Sequence, residues 1–290
     1  MKEKLTEQLK AILLKYDSSV PGTTADHLRE LWLQFEPKSM EVIKAVEREQ
    51  QETIGIPAAV LKSIGNEIGK LAQKRVDEFL PLAQLLWDKY GREGRAVAVI
   101  PLGKMELVDP ERIVPLLKEM CRTCLTWEDA DRFAMYALEP IVQKDPEGWL
   151  IVVEPWLEDE NKWVRRAGVT VVGRLPMKQP LYAAQCMTLI ERLLYDDEVD
   201  VKKAVSFAIR LVARGDIGPV RDFLQQHVPP ENPAAAWVLC DVIRSMAKKL
   251  LPEFLELLPL YEDWSADPSL DAKDRRSIES AIKTLKKVKT

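Results

Sequence analysis

Apolar residues recur at helical spacing along most of the chain. The clearest apolar positions of one such segment are Ile113, Leu116, Leu117 and Met120, and residues 201–209 repeat the pattern. Spacings of i, i+3 and i+4 place side chains on one face of an α-helix. No strand-like alternation is bounded by hairpin turns. The pattern predicts an all-α fold.

Prolines mark the breaks between these segments. Those at predicted boundaries are Pro57, Pro81, Pro101, Pro110, Pro155, Pro176, Pro180 and Pro219. Proline lacks the backbone N–H that a helix interior needs, so it favours a helix end or the first turn of the next helix. We therefore expect a series of short helices.

An alanine recurs at a nearly constant interval. The positions are Ala59, Ala96, Ala134, Ala167 and Ala204, with intervals of 37, 38, 33 and 37 residues. Two of them follow an acidic turn, Asp159-Glu160 and Asp196-Asp197. A small side chain lets neighbouring helices approach, and an acidic turn suits the positive end of the next helix. The alternative is an irregular helical bundle with accidental spacing.

A period of this length is typical of HEAT and armadillo repeats. The sequence therefore predicts a right-handed HEAT/ARM-like α-solenoid of helix pairs with a concave face. We expect an N-terminal helical cap over residues 1–50, the solenoid over 51–250, and a C-terminal helical segment with a basic tail over 251–290.

Composition agrees with a folded core. Hydrophobic residues make up 47% of the chain and charged residues 30%, which argues against disorder. No window approaches the roughly 18 apolar residues of a membrane span, and the start, Met1-Lys2-Glu3-Lys4-Leu5, lacks a hydrophobic signal core. We expect a cytoplasmic protein without a membrane partner, and a monomer by default.

The net charge of −4 hides local differences. Residues 104–160 hold six basic and fourteen acidic residues, a net of −8, whereas residues 161–214 hold ten and five, a net of +5. Residues 271–290 hold seven and three, a net of +4. A basic surface could follow a phosphate backbone. The alternative is that these charges form ordinary solvated faces.

Trp127 and Asp131 are four residues apart in a helix predicted over residues 125–131, so they share a face. An aromatic plane beside a carboxylate suits a cation or a cation-like transition state. The alternative is that the tryptophan packs in the core and the aspartate caps a helix.

Two further segments carry aromatic and basic side chains. Trp163 and Arg166 are three residues apart, and Phe207 lies near Lys203 and Arg210. With the repeat alanine as origin and 100° per residue, Trp127, Asp131, Trp163, Arg166 and Phe207 fall in one half of the helix circumference. Stacked repeats would then form one strip of aromatic, acidic and basic residues.

The ordered set of motifs resembles the AlkD-type DNA alkylation repair family, which contains HEAT-like DNA glycosylases and non-catalytic relatives. The matching segments are Ile54-Gly55-Ile56-Pro57, Leu86-Trp87 with Arg92-Glu93 and Ala96, Trp127 with Asp131, Asn161-x-Trp163-Val164-x-Arg166-Ala167, and Lys203-Ala204. They cover roughly residues 50–215.

The resemblance implies a monofunctional hydrolase, without cofactor, that releases N3- or N7-alkylated purines from duplex DNA. Trp127 would pack against the deoxyribose, and Asp131 would stabilise the oxocarbenium-like sugar and position water. Arg166 would grip a phosphate. The other side chains expected to bind DNA are Arg165, Trp163, Lys203, Phe207 and Arg210.

One departure from the family pattern bears on catalysis. Phe207 stands where active members usually carry a second sugar-facing tryptophan, and phenylalanine lacks the area and N–H of an indole. Two alternatives therefore stay open. One is DNA binding without hydrolysis, and the other is a HEAT-type scaffold for protein partners.

Other candidate residues are assigned structural roles. Cys121 and Cys124 lie in a helical run without the four ligands of a zinc site, so we expect buried thiols and no metal. His27 and His227 have no partner motif. The tryptophans expected to pack between helices are Trp149, Trp156 and Trp237.

Overall fold

A computed structural model describes residues 2–35 and 53–288 of the 290-residue chain. Within these ranges every regular element is a helix, which confirms the all-α prediction. Contacts divide the chain into two compact units, Met1–Ile141 and Val142–Thr290. The predicted cap over residues 1–50 lies partly outside the described residues.

The first unit contains seven described helices and the first half of an eighth. They are α1 (Lys2–Leu14), α2 (Pro21–Trp32), α3 (Ala58–Ala72), α4 (Val76–Lys89), α5 (Gly91–Glu106), α6 (Pro110–Arg122), α7 (Trp127–Arg132) and α8 (Glu139–Lys144), the last of which crosses into the second unit. A π-helical turn, Phe133–Leu138, joins α7 to α8.

Helix α5 is the centre of the first unit. It packs against α3, α4 and the π-helical turn, and nearly all of its residues are buried. Gly103 permits the last of these contacts, because a Cβ there would overlap the backbone of Tyr136. Ala96 and Ala134 are buried as the repeat pattern predicts.

The second unit contains a further eight helices. They are α9 (Pro146–Val153), α10 (Lys162–Arg174), α11 (Ala183–Glu191), α12 (Val199–Gly215), α13 (Gly218–His227), α14 (Ala236–Arg244), α15 (Leu258–Ser265) and α16 (Ala272–Lys286). Short 3₁₀ turns lie at Glu154–Trp156, Leu175–Met177, Pro180–Tyr182, Pro233–Ala235 and Leu251–Leu257.

Every second helix of this unit stacks on the next. Helix α10 packs on α12, α12 on α14, and α14 on α16. Ala167 and Ala204 are fully buried in α10 and α12. This order of helix pairs is the repeat organisation that the sequence predicts.

Two sequence predictions are wrong in detail. Pro81 and Pro101 lie inside α4 and α5 and do not mark boundaries. For Pro81 the carbonyl left without its helical donor belongs to Asp77, an exposed residue in the first turn of α4. Ala59 is exposed at the start of α3, so the series of buried alanines begins at Ala96.

No helix in residues 2–35 and 53–288 has the length and apolar character needed to cross a membrane.

Candidate nucleic-acid interface

Helix α7 presents Trp127 and Asp131 on its outer side. It begins at Trp127, two residues later than predicted, because the Thr126 hydroxyl accepts a hydrogen bond from the Asp129 N–H and caps the helix. Trp127 is 45% exposed and Asp131 is half-buried. Since residues four apart share a helix face, the indole and the carboxylate are neighbours on a surface that solvent reaches.

A buried ion pair holds the chain that leads into α7. The Asp129 carboxylate is fully buried and accepts hydrogen bonds from the Leu125 N–H and from Arg95 Nη1, both at 3.1 Å. Arg95 also donates to the Thr123 carbonyl oxygen at 2.9 Å, and its guanidinium lies 4.3 Å from the Trp87 ring centre. Helix α5 therefore fixes the position at which α7 begins.

Glu128 forms a second anchor on the same helix. It accepts hydrogen bonds from Arg92 Nε and Nη2 at 2.7 and 2.8 Å, and from Arg132 Nη2 at 2.6 Å. Burial lowers the pKa of Arg92, but hydrogen bonding and attraction to Glu128 raise it overall. For Arg132, burial lowers the pKa. The charges of Glu128 and Asp129 are thus balanced by arginines, and both side chains hold α7 in place. Asp131 is the candidate catalytic carboxylate of this helix.

Glu93 fixes the segment that precedes α3. Its buried carboxylate accepts hydrogen bonds from the backbone N–H groups of Ile54, Gly55 and Ile56 at 3.2, 2.9 and 3.2 Å. Gly55 has a φ of 86°, a conformation that glycine adopts without strain. The sequence places Glu93 among the family-like residues but gives it no role. Nothing in the sequence separates it from the other charged residues of α5, among them Arg92 and Arg95.

In the second unit, Trp163 lies at the N-terminus of α10. The Asn161 side chain caps this helix by accepting from the Trp163 N–H at 2.9 Å. Lys162 Nζ lies 4.5 Å from the centre of the half-buried Trp163 ring and 2.8 Å from Asp200 Oδ2. The indole face is therefore paired with a cation, as in cation–π contacts.

The two arginines that follow are engaged within the protein. Arg165 Nε and Nη2 donate to the Asp196 carboxylate at 2.6 and 3.2 Å. Arg166 is only 5% exposed, and its Nη1 donates to the Asp200 carbonyl oxygen at 2.5 Å. Both side chains tie α10 to the start of α12. DNA contact by Arg165 and Arg166 stays a prediction.

Helix α12 carries the remaining residues singled out in the sequence. Lys203 is exposed and Phe207 half-buried. The Arg210 guanidinium lies 5.6 Å from the Phe207 ring centre and donates to the Ser245 carbonyl oxygen at 3.1 Å. Burial lowers the pKa of Arg210. Lys203 is therefore the most accessible cation of this group.

Trp237 adds a third aromatic and cation pair. It is half-buried, and Arg244 lies 6.0 Å from its ring centre. The pairs Trp163 with Lys162, Phe207 with Arg210 and Trp237 with Arg244 thus occur on α10, α12 and α14, which pack in that order. Trp156 is buried as predicted, whereas Trp237 is not a purely internal residue. Its arginine seven positions later, on the same helix face, is the signal in the sequence.

The predicted strip divides between the two units. Trp127 and Asp131 belong to the first unit, and Trp163, Arg166 and Phe207 to the second. That these five side chains form one continuous strip stays a prediction.

The cysteines are buried, as predicted. Burial raises the pKa of the Cys124 thiol, and the neighbouring Cys121 thiol raises it further. Among residues 2–35 and 53–288, no cluster of histidine, cysteine and carboxylate side chains has the geometry of a metal site.

The family model described as DNA alkylation repair enzyme matches residues 28–236. A comparison with curated proteins finds no match.

Comparison with solved structures also finds matches. The crystal structure of smu.31 from Streptococcus mutans UA159 is 18% identical with a TM-score of 0.51, and the match covers 66% of this chain and 99% of that one. A designed armadillo repeat protein in complex with the peptide (KR)4 is 14% identical with a TM-score of 0.35, covering 78% and 93%.

Proposed function

Since this chain belongs to the DNA alkylation repair enzyme family, which supports a role in DNA repair, we propose that it binds alkylated duplex DNA and hydrolyses the N-glycosidic bond of N3- and N7-alkylpurines. The observation that carries this proposal is the exposed Trp127 beside Asp131 on α7. The two anchors beneath them, Asp129 with Arg95 and Glu128 with Arg92, keep the helix in place.

The chemistry requires stabilisation of positive charge. Alkylation at N3 or N7 makes the purine cationic, so the C1′–N9 bond breaks with its electron pair going to the base, which leaves neutral. The sugar becomes oxocarbenium-like. In the proposed reaction Asp131 stabilises this charge and orients the water whose oxygen bonds to C1′ and whose proton passes to solvent. Trp127 packs its ring face against the cationic sugar.

DNA contact is proposed for side chains of the second unit. Lys203 is exposed and suits a phosphate, and the ring faces of Trp163 and Phe207 suit sugar or base edges. Arg165 and Arg210 would act from partly buried positions. Arg166 would have to reach a phosphate from an almost fully buried position, so we expect it to contribute less to affinity than Lys203.

Two observations favour a second candidate, DNA binding without hydrolysis. Phe207 offers a smaller ring than tryptophan and is half-buried. Arg166 is largely committed to Asp200. In such a protein, cation recognition at Trp127 and Asp131 would serve lesion binding.

The first test is Asp131→Asn. Exchanging the carboxylate for a neutral isostere removes the charge that faces the sugar, so we expect release of N7-methylguanine or N3-methyladenine to fall by at least about 100-fold. Release is measured as freed base from methylated duplex DNA, and folding by circular dichroism.

Asp88→Asn is the matched control because Asp88 is an exposed carboxylate elsewhere in the first unit. Wild-type release by the Asp131 variant would refute the proposed role. Duplex binding without any base release by the wild-type protein would favour the non-catalytic candidate.

A further inference from the structure

We propose that the C-terminal helices carry an additional contact surface for the phosphate backbone of duplex DNA, centred on Lys273, Arg276, Lys283 and Lys287. We call these four residues the C-terminal basic stripe. The inference rests on the proposed function, and it concerns a part of the chain beyond residue 236, where the family match ends.

The stripe follows from the geometry of α16. At 100° per residue its four positions fall within an arc of about 80°, and Lys273 and Lys287 are about 21 Å apart along the helix axis. All four side chains are exposed. Ser280 lies in the middle of the arc, and Glu279 borders it beside Lys283. The buried face, formed by Ser277, Ile278, Ala281 and Leu285, lies on the other side.

Basic side chains of α16 on and beside the stripe make contacts within the protein, and Arg276 Nε donates to the Ala272 carbonyl oxygen at 3.0 Å. Lys286 Nζ pairs with Glu262 at 2.7 Å. Arg275 donates to the carbonyl oxygens of Ser265 and Asp267, both at 3.0 Å. The contacts of Lys286 and Arg275 join α16 to α15 and the turn that follows it. The four side chains of the stripe stay exposed to solvent.

Helix α16 is linked through α14 to the helix that carries Phe207 and Lys203. Arg210 Nη1 of α12 donates to the Ser245 carbonyl oxygen at 3.1 Å. Arg244 Nη1 of α14 donates to Ser277 Oγ of α16 at 3.2 Å. Ser277 belongs to the buried face of α16 and follows Lys273 by four residues, so these bonds show that α12, α14 and α16 are packed in series.

Charge identifies the partner. Residues 271–290 hold seven basic and three acidic residues, a net of +4 in a chain whose net charge is −4. Duplex DNA carries one phosphate per strand for about every 3.4 Å of helix axis. A row of cations about 21 Å long spans the axial rise of about six base pairs. A partner with a regular row of negative charge is the one this spacing fits.

The test compares two variants with the same charge change. The first combines Lys273→Gln, Arg276→Gln, Lys283→Gln and Lys287→Gln. The control combines Lys10→Gln, Lys15→Gln, Lys74→Gln and Lys89→Gln, four exposed lysines of the first unit. Affinity for a labelled, unmodified duplex is measured by anisotropy between about 50 and 200 mM salt, with thermal unfolding as the check on folding.

We expect the stripe variant to lose at least about tenfold in affinity at low salt, and its log-log salt slope to decrease in magnitude by about 2 to 4, since each phosphate contact contributes about 0.9. The control should change the slope by less than about 1. Equal losses in both variants, or a stripe variant that binds like the wild type, would overturn the inference. So would equal competition by polyglutamate, which would assign the stripe to an acidic protein.

The two proposals fail in different ways. Suppose that the wild-type protein releases base, that Asp131→Asn abolishes this release, and that the stripe variant keeps the wild-type salt slope. These results would refute the inference about the stripe and leave the proposed function standing. Absence of duplex binding by the wild-type protein would remove both.

Discussion

At the scale of single residues, Glu106 is the most costly group in the described core. It is the last residue of α5, is fully buried, and neither carboxylate oxygen has a hydrogen-bond partner. Burial raises the pKa of this carboxyl well above its usual value of 4.5. The folded protein therefore keeps Glu106 protonated at pH values where the unfolded chain has released the proton.

This difference predicts a pH dependence of stability. Because the folded state holds the proton more tightly, the contribution of protonated Glu106 to the free energy of unfolding is complete below pH 4.5. This contribution is lost as pH rises toward the folded pKa, by at most about 1.4 kcal/mol per pH unit. Glu106→Gln should reduce the change in the free energy of unfolding with pH, as measured by urea unfolding at several pH values. Glu111→Gln, at an exposed carboxyl, is the control. An unchanged slope in the Glu106 variant would contradict the assignment.

The extent to which the sequence predicts the role of a side chain also differs from residue to residue. Spacing alone pairs Trp127 with Asp131 and separates both from Asp129. It cannot reveal that Asp129 is neutralised by Arg95, 34 positions earlier, because that contact depends on how α5 packs. For the same reason the sequence could not show that Arg166 is buried against Asp200.

At the scale of elements, close helix packing depends on small residues. Gly173 of α10 faces α12, and a Cβ at this position would lie 2.5 Å from the Cα of Ala208. Backbone atoms cannot rotate away as a flexible side chain can. The approach of these two helices therefore requires glycine.

Gly173→Ala should accordingly separate α10 from α12. We expect a loss of about 2 kcal/mol in the free energy of unfolding, within the usual range for overpacking. Gly22→Ala in α2 is the matched control, because the nearest atom to its Cβ would be Leu85 Cδ2 at 4.0 Å. That variant should stay within about 1 kcal/mol of the wild type. Equal stability of the two variants in denaturant titrations would disprove the packing argument.

The elements also show what apolar periodicity can and cannot predict. It identifies α6 and α12 and the order of helix pairs, because amphipathic faces are local features of the sequence. It misses the π-helical turn Phe133–Leu138 and the prolines inside α4 and α5. These depend on contacts that α5 makes with distant segments.

At the scale of the whole molecule, the two units carry different parts of the proposed function. Neither has a charge that favours DNA overall, since Met1–Ile141 holds 20 basic and 23 acidic residues and Val142–Thr290 holds 22 and 23. Binding must then come from local groups of cations. The first unit carries the proposed chemistry at Asp131, and the second carries the proposed phosphate contacts.

This division predicts that a binding variant changes KM and leaves kcat unchanged. Lys203→Gln should raise KM for alkylated duplex DNA several-fold and reduce the magnitude of the salt slope by about 0.9, because one phosphate contact is lost. Lys202→Gln is the control, since Lys202 points about 100° away on the same helix. Both parameters follow from steady-state base release at several salt concentrations. A fall in kcat for Lys203→Gln with unchanged KM would show that this lysine acts in the chemical step, and the division between the units would then be wrong.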